Sequence, residues 1–158
     1  MADPLSAIAN VAGMVLFGGQ VLVKLTEYIN DIHQAPKHVE ELANELMATT
    51  AALQRFKLLV IDRQASNSDE LKIWAADSQT MLQNCDETFK QINEAVEKAQ
   101  IKSKGTVKGE VVSRVKWVWN KKEINLLKVR LNGYEAVIQL MLQTLSRSVD
   151  TASKGNKR

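Results

Sequence analysis

Between Asp3 and Lys24 the chain carries no charge. The run Pro4–Val23, PLSAIANVAGMVLFGGQVLV, is 20 residues long. As an α-helix it would reach about 30 Å, the thickness of a bilayer's hydrocarbon core. Its apolar residues, with Leu5, Ile8, Val11, Ala12, Val15, Leu16, Leu22 and Val23 among them and Leu25 just past Lys24, surround the axis on most sides. A helix that is apolar nearly all round has two outlets, a buried place in a bundle or a membrane span. In a chain of otherwise ordinary polarity the buried core helix is the expectation. The run is also a compromised span. Gly13, Gly18 and Gly19 each cost about 1 kcal/mol of helix propensity relative to Ala, and Ser6, Asn10 and Gln20 are polar. It is long enough to enter a membrane and too compromised to be committed to one, so the functional question is whether it does both at different times.

The rest of the chain repeats one pattern. After a break at Ala35-Pro36, where a residue before proline is pushed out of the α region, Val39, Leu42, Leu46, Thr49, Leu53, Phe56 and Val60 alternate spacings of 3 and 4. Such a seam predicts near-parallel helix packing. A polar loop, Gln64–Ser68, follows, and Asn67 with Glu70 is spaced as a capping box. Leu71, Ala75, Ser78, Leu82, Cys85, Phe89, Ile92, Val96 and Ala99 then form the next seam. The breaker-rich connection Lys102–Gly109 leads to the short amphipathic piece Val111–Trp119. Asn120 and Glu123, again spaced as a capping box, open a last helix with Ile124, Leu127, Leu131, Tyr134, Ile138, Met141 and Leu145 on one side. Gly133 inside that helix predicts close contact with another helix, since it is otherwise only a cost. The expected fold is all-α, an antiparallel helical bundle of four long helices plus a short helix before the last. Residues 1–150 make one bundle domain, and residues 151–158 a solvated tail or linker stub.

Composition narrows the function. The chain has 158 residues, enough for one domain with a real core. Its one cysteine, Cys85, excludes an internal disulfide and suits a reducing compartment. As a seam residue it reads as a buried thiol rather than a nucleophile. Asp3 and Lys24 flank the apolar run where a secretory signal would need other residues. His33 and His38 flank the helix break with no third ligand at helical spacing, so no metal site is expected. Gly105 and Gly109 lack the order of a phosphate loop, and no nucleophile elbow, carboxylate pair or cofactor loop is present. We therefore expect no enzyme, no cofactor and no metal.

Net charge is only +3 but is unevenly placed. Between Gln100 and Leu131 nine basic residues face only Glu110 and Glu123. Lys102, Lys104, Lys108, Arg114, Lys116, Lys121 and Lys122, with Trp117 and Trp119 among them, read either as a solvated face with an indole covering one end of the bundle, or as an anionic-lipid contact. Indoles beside lysines suit the headgroup layer. Stacking on unpaired bases is the third possibility, disfavoured because no nucleic-acid motif accompanies the charge.

These residues also carry a resemblance. The opening MADPLSAIANVAGMVLFGGQVLVKL, the Ala35-Pro36-Lys37 turn followed by Glu40, Leu42 and Leu46, and Arg114-Val-Lys-Trp117 leading into Lys121-Lys-Glu-Ile124 are similar to the fungal N-terminal domain of STAND proteins, in the HeLo-like group of helical bundles. The similarity runs from about Met1 to Ser148. One departure is Val118, where family members often carry proline, so a less sharp break is expected before the last helix. The resemblance implies a module ahead of a NACHT or NB-ARC switch, in the cytoplasm, that self-associates on activation and moves to the plasma membrane. Its first helix would insert and permeabilise, in programmed cell death of the heterokaryon-incompatibility kind. On that reading Leu5, Ile8, Val11, Gly13, Val15, Leu16, Phe17, Gly18, Gly19 and Leu22 enter the bilayer, and the basic cluster holds anionic lipid. The alternative is a protein–protein adaptor or oligomerisation bundle without membrane activity.

Overall fold

The computed structural model describes residues 4–32, 35–64, 69–104 and 121–155. Side chains are described over 9–32, 35–62, 73, 75–100 and 121–145. Four α-helices account for the described chain: α1 (Pro4–Asp31), α2 (Lys37–Gln64), α3 (Asp69–Lys104) and α4 (Lys121–Gly155). The first break falls where the proline places it. The backbone N–H groups of Val39 and Glu40 donate to the Pro36 carbonyl at 3.0 and 3.4 Å and start α2. The chain is an all-α helical bundle. The expected short helix over Val111–Trp119 and the capping residues Asn67 and Asn120 lie outside the described residues. The last helix is longer than expected, because α4 continues to Gly155 and takes in the first part of what reads in sequence as a tail.

Cross-helix neighbours give the topology. Gly18 lies against Thr50 of α2 and Phe89 of α3, while Lys24 reaches Asn93 and Glu97. Residue numbers thus rise together along α1 and α3, which are parallel. Thr49 approaches the Leu131 carbonyl and Lys128 pairs with Glu41, so α2 and α4 are parallel too. Thr88 with Tyr134, and Gln91 with Arg130, run in opposite order, so α3 and α4 are antiparallel. The helices therefore alternate up and down in sequence. In space the order around the bundle is α1, α2, α4, α3. The α2–α4 interface is the most extensive, α2 and α3 meet only across a diagonal, and α1 and α4 do not touch among the described residues.

The predicted seams form the core. Every seam position of α2 is buried, as is every described one of α3, and in α4 only Tyr134 and Met141 stay partly open. Leu46, Leu53, Phe89, Leu131 and Ile138 are fully buried and Leu82 nearly so. The seams are not purely apolar. Thr49 Oγ1 sits 2.9 Å from the Glu45 carbonyl and 3.3 Å from that of Leu131, which ties α2 to α4. Thr88 Oγ1 donates to the Asn84 carbonyl at 2.9 Å, leaving it to accept from Tyr134 Oη at 3.1 Å.

Two expectations about packing are corrected. The first helix is not wrapped on all sides. Val11, Met14, Gly18, Val21, Leu25 and Tyr28, at spacings of 3 and 4, form a single buried stripe, while Leu16 is 69% and Val23 56% exposed. A helix at the corner of a four-helix bundle has two neighbours, which cover about half its circumference whatever the other half contains. The second correction is Gly133. A Cβ built there would meet nothing within 4 Å among the described residues, so none of the described helices packs against it.

Candidate functional site

Of the residues expected to enter a membrane, Val11 and Gly18 face the core, and Val15, Phe17, Gly19 and Leu22 lie on its flanks. Gly13 and Leu16 face outward. The side chains of Leu5 and Ile8 lie outside the described residues, although their backbone is part of α1. The outward stripe reads Asn10, Gly13, Leu16, Gln20, Val23, Glu27 and Asn30, all exposed. Its first charge comes only at Glu27. Among the described residues α1 is the one helix long and apolar enough to cross a membrane, over Ala9–Asp31.

The attachment of α1 is localised. Of the three glycines of α1, Gly18 is the one whose backbone lies close against the rest of the bundle: a methyl there would lie 2.9 Å from both Phe89 Cε2 and Thr50 Oγ1. One polar tether is found further along. Lys24 Nζ donates to Asn93 Oδ1 at 3.2 Å and to Glu97 Oε1 at 3.1 Å. Both charged side chains of that pair are about half exposed, so water screens it and its contribution is small. The burial of one apolar stripe is what holds α1.

The basic cluster divides at the edge of the described chain. Lys121 and Lys122 are exposed at the start of α4, with Glu123 in the same first turn. Lys102 and Lys104 end α3, their side chains outside the described residues. Lys108, Arg114, Lys116, Trp117 and Trp119 lie outside the described residues altogether. The basic residues do not all face water freely: Lys128 pairs with Glu41, and that ammonium holds the Glu41 carboxyl below its ordinary value. Arg130 Nη1 donates to Gln91 Oε1 at 3.2 Å.

The one thiol among the described residues is not poised as a nucleophile. Cys85 is fully buried, and desolvation, with a smaller push from the Asp86 charge, raises its thiol to about 12. Among the described residues no group of three His, Cys, Asp or Glu could hold a metal ion. The Lys24 tether and the Glu41–Lys128 pair join residues far apart in sequence, and nothing in local spacing marks them. The exposed apolar residues of α4, Leu126, Val129, Val137 and Leu140, were legible, with Gly133 between them, as a second stripe at spacings of 3 and 4, offset from the buried seam.

Residues 2–155 match the family described as pigment biosynthesis cluster protein PigL N-terminal. The chain belongs to that family. The match takes in all four helices, so the bundle as a whole is the unit that the PigL N-terminal family shares. It is a fungal helical domain. No curated protein and no solved structure matches the chain.

Proposed function

We propose that this PigL N-terminal family member is a non-enzymatic signalling module of the STAND type, whose α1 leaves the bundle on activation, enters the plasma membrane and permeabilises it. The observation that carries the reading is α1 itself, a helix without charge from Pro4 to Val23 whose described side chains are buried along one side only. Its release is physically cheap for the helix. The stripe Val11, Met14, Val21, Leu25 and Tyr28 exchanges one apolar surrounding for another, and the outward Leu16 and Val23 gain burial they lack in the bundle. The cost falls on the remaining helices, which lose the partner of Phe89 and Thr50. Lys24, just past the apolar run, would then reach the headgroups by the length of its own side chain. Lys121 and Lys122 would hold anionic lipid beside it, together with the basic residues from Lys102 to Lys116 and with Trp117 and Trp119.

The sequence resemblance supports a place ahead of a NACHT or NB-ARC partner domain, with self-association as the trigger and regulated cell death as the outcome. The family name, that of an N-terminal domain, is consistent with such a place. The test is leakage of dye from vesicles with and without phosphatidylserine, using the full chain. Gly13→Glu is the informative variant, because Gly13 is exposed and a Cβ there meets nothing within 4 Å among the described residues, so the folded bundle should accept it. In a membrane the same charge costs about 3 kcal/mol, and leakage should be lost while circular dichroism stays as in the parent chain and the melting temperature is no lower, since leaving glycine gains helix propensity. A folded Gly13→Glu protein that leaks dye as well as the parent refutes insertion of α1, and leaves the adaptor reading.

A further inference from the structure

The outward face of α4 is apolar and symmetric in a way that the bundle does not use. Leu126, Val129, Val137 and Leu140 are 51, 69, 41 and 66% exposed. With Gly133 they occupy one stripe opposite the buried seam, at positions −7, −4, 0, +4 and +7 about the glycine. The stripe thus reads Leu, Val, Gly, Val, Leu in either direction. Gly133 itself weakens the helix, and its missing side chain makes room for none of the described residues, since a Cβ would have no neighbour among them within 4 Å.

We propose that a second copy of this chain docks on this face, antiparallel, about a two-fold axis passing Gly133. A two-fold interface must be complementary to itself, and the palindrome satisfies that requirement: Leu126 meets the partner's Leu140, Val129 meets the partner's Val137, and the two glycines let the backbones approach. Charge decides the direction. Lys122 lies on the same stripe eleven residues before Gly133, and Thr144 eleven residues after, both exposed. An antiparallel pair sets each Lys122 against a threonine, whereas a parallel pair would set the two Lys122 ammonium groups face to face. The stripe is one helix wide and about 21 Å long. At a helix width of about 10 Å two such stripes cover on the order of 400 Å², short of the roughly 1,200 Å² of a stable complex, so the dimer is weak and its population rises with concentration.

This inference does not rest on membrane insertion, and the two fail separately: one is read in leakage, the other in mass. Sedimentation equilibrium of the full chain should show a monomer–dimer exchange across about a hundredfold range of concentration. Val129→Glu should abolish it without unfolding the monomer. Gly133→Ala should act in opposite directions, raising the melting temperature of the dilute monomer and weakening dimerisation at least tenfold, because the added methyl is free in the monomer and crowded at the axis. Asn132→Cys, exposed and one residue from the axis, should be joined by a short bismaleimide, while Leu126→Cys, about 21 Å from its own copy in the antiparallel pair, should not; the buried Cys85 does not compete. A chain that stays monomeric throughout, with Val129→Glu changing vesicle binding alone, overturns the proposal. Equal linking of Leu126→Cys and Asn132→Cys overturns the antiparallel arrangement.

Discussion

An alanine methyl at Gly18 would sit 2.9 Å from Phe89 Cε2 and 2.9 Å from Thr50 Oγ1. Neither neighbour yields easily. Phe89 is fully buried, and Thr50 Oγ1 donates to the Leu46 carbonyl at 2.8 Å, a bond that rotation would break. At Gly19 the same methyl meets nothing within 4 Å. Both substitutions gain up to about 1 kcal/mol of helix propensity. Gly19→Ala should therefore raise the urea midpoint, and Gly18→Ala should lower it despite the same gain. Equal shifts would show that α1 does not approach α2 and α3 as described. Cys85 gives a second residue-level prediction. With its thiol held at about 12 and out of solvent, alkylation by iodoacetamide near neutral pH should proceed only at the rate of unfolding. Rapid labelling of the native chain would contradict the burial.

At the scale of the element, α4 carries two stripes with different duties. Ile138 belongs to the buried seam and Leu140, two residues on, to the outward one. Ile138→Ala should cost about 2–5 kcal/mol, whereas Leu140→Ala should change monomer stability by no more than about 0.5 kcal/mol. Chemical denaturation of the dilute monomer separates them. The α2–α4 pair also carries an acid-sensitive contact. Hydrogen bonding from Lys128, then its charge, holds the Glu41 carboxyl below the ordinary 4.5. The native state therefore takes up this proton less readily than the unfolded chain does. The stabilisation is complete above 4.5 and is lost as pH falls below that value through the depressed native one. Lys128→Met should accordingly melt below the parent at neutral pH, with the gap closing in acid. A gap that persists at low pH would assign Lys128 a packing role instead.

For the whole molecule, the order α1, α2, α4, α3 places α1 at a corner and gives it two neighbours rather than three. Removing α1 therefore leaves the most extensive interface, α2 with α4, intact. At the start of α4, Lys121 and Lys122 are exposed, and acidic side chains in a first turn agree with the helix dipole. Reversing both to Glu should leave helicity unchanged. It should weaken binding to phosphatidylserine vesicles by about 2 kcal/mol or more, at about 1 kcal/mol for each cation lost. Unchanged binding at low salt, where screening is weak, would remove these two lysines from any lipid contact.

The all-α class, the break at Pro36 and the buried seams were legible in the residues, because 3-4 spacing is a local property of a helix and needs no knowledge of its neighbours. Phe56, Phe89, Leu131 and Ile138 are buried where their spacing put them. The charge-free length of Pro4–Val23 is likewise a fact of sequence. Which of its sides is covered is not, since an apolar helix has no preferred face until other helices choose one. Tertiary structure alone decided that Leu16 and Val23 stand outward, that Gly18 marks a close approach while Gly13, Gly19 and Gly133 do not, and that Lys24 finds Glu97 and Lys128 finds Glu41. Gly133 and Gly18 cost a helix the same propensity. What separates them is the distance to the next helix, and that distance is set by how four helices share one core.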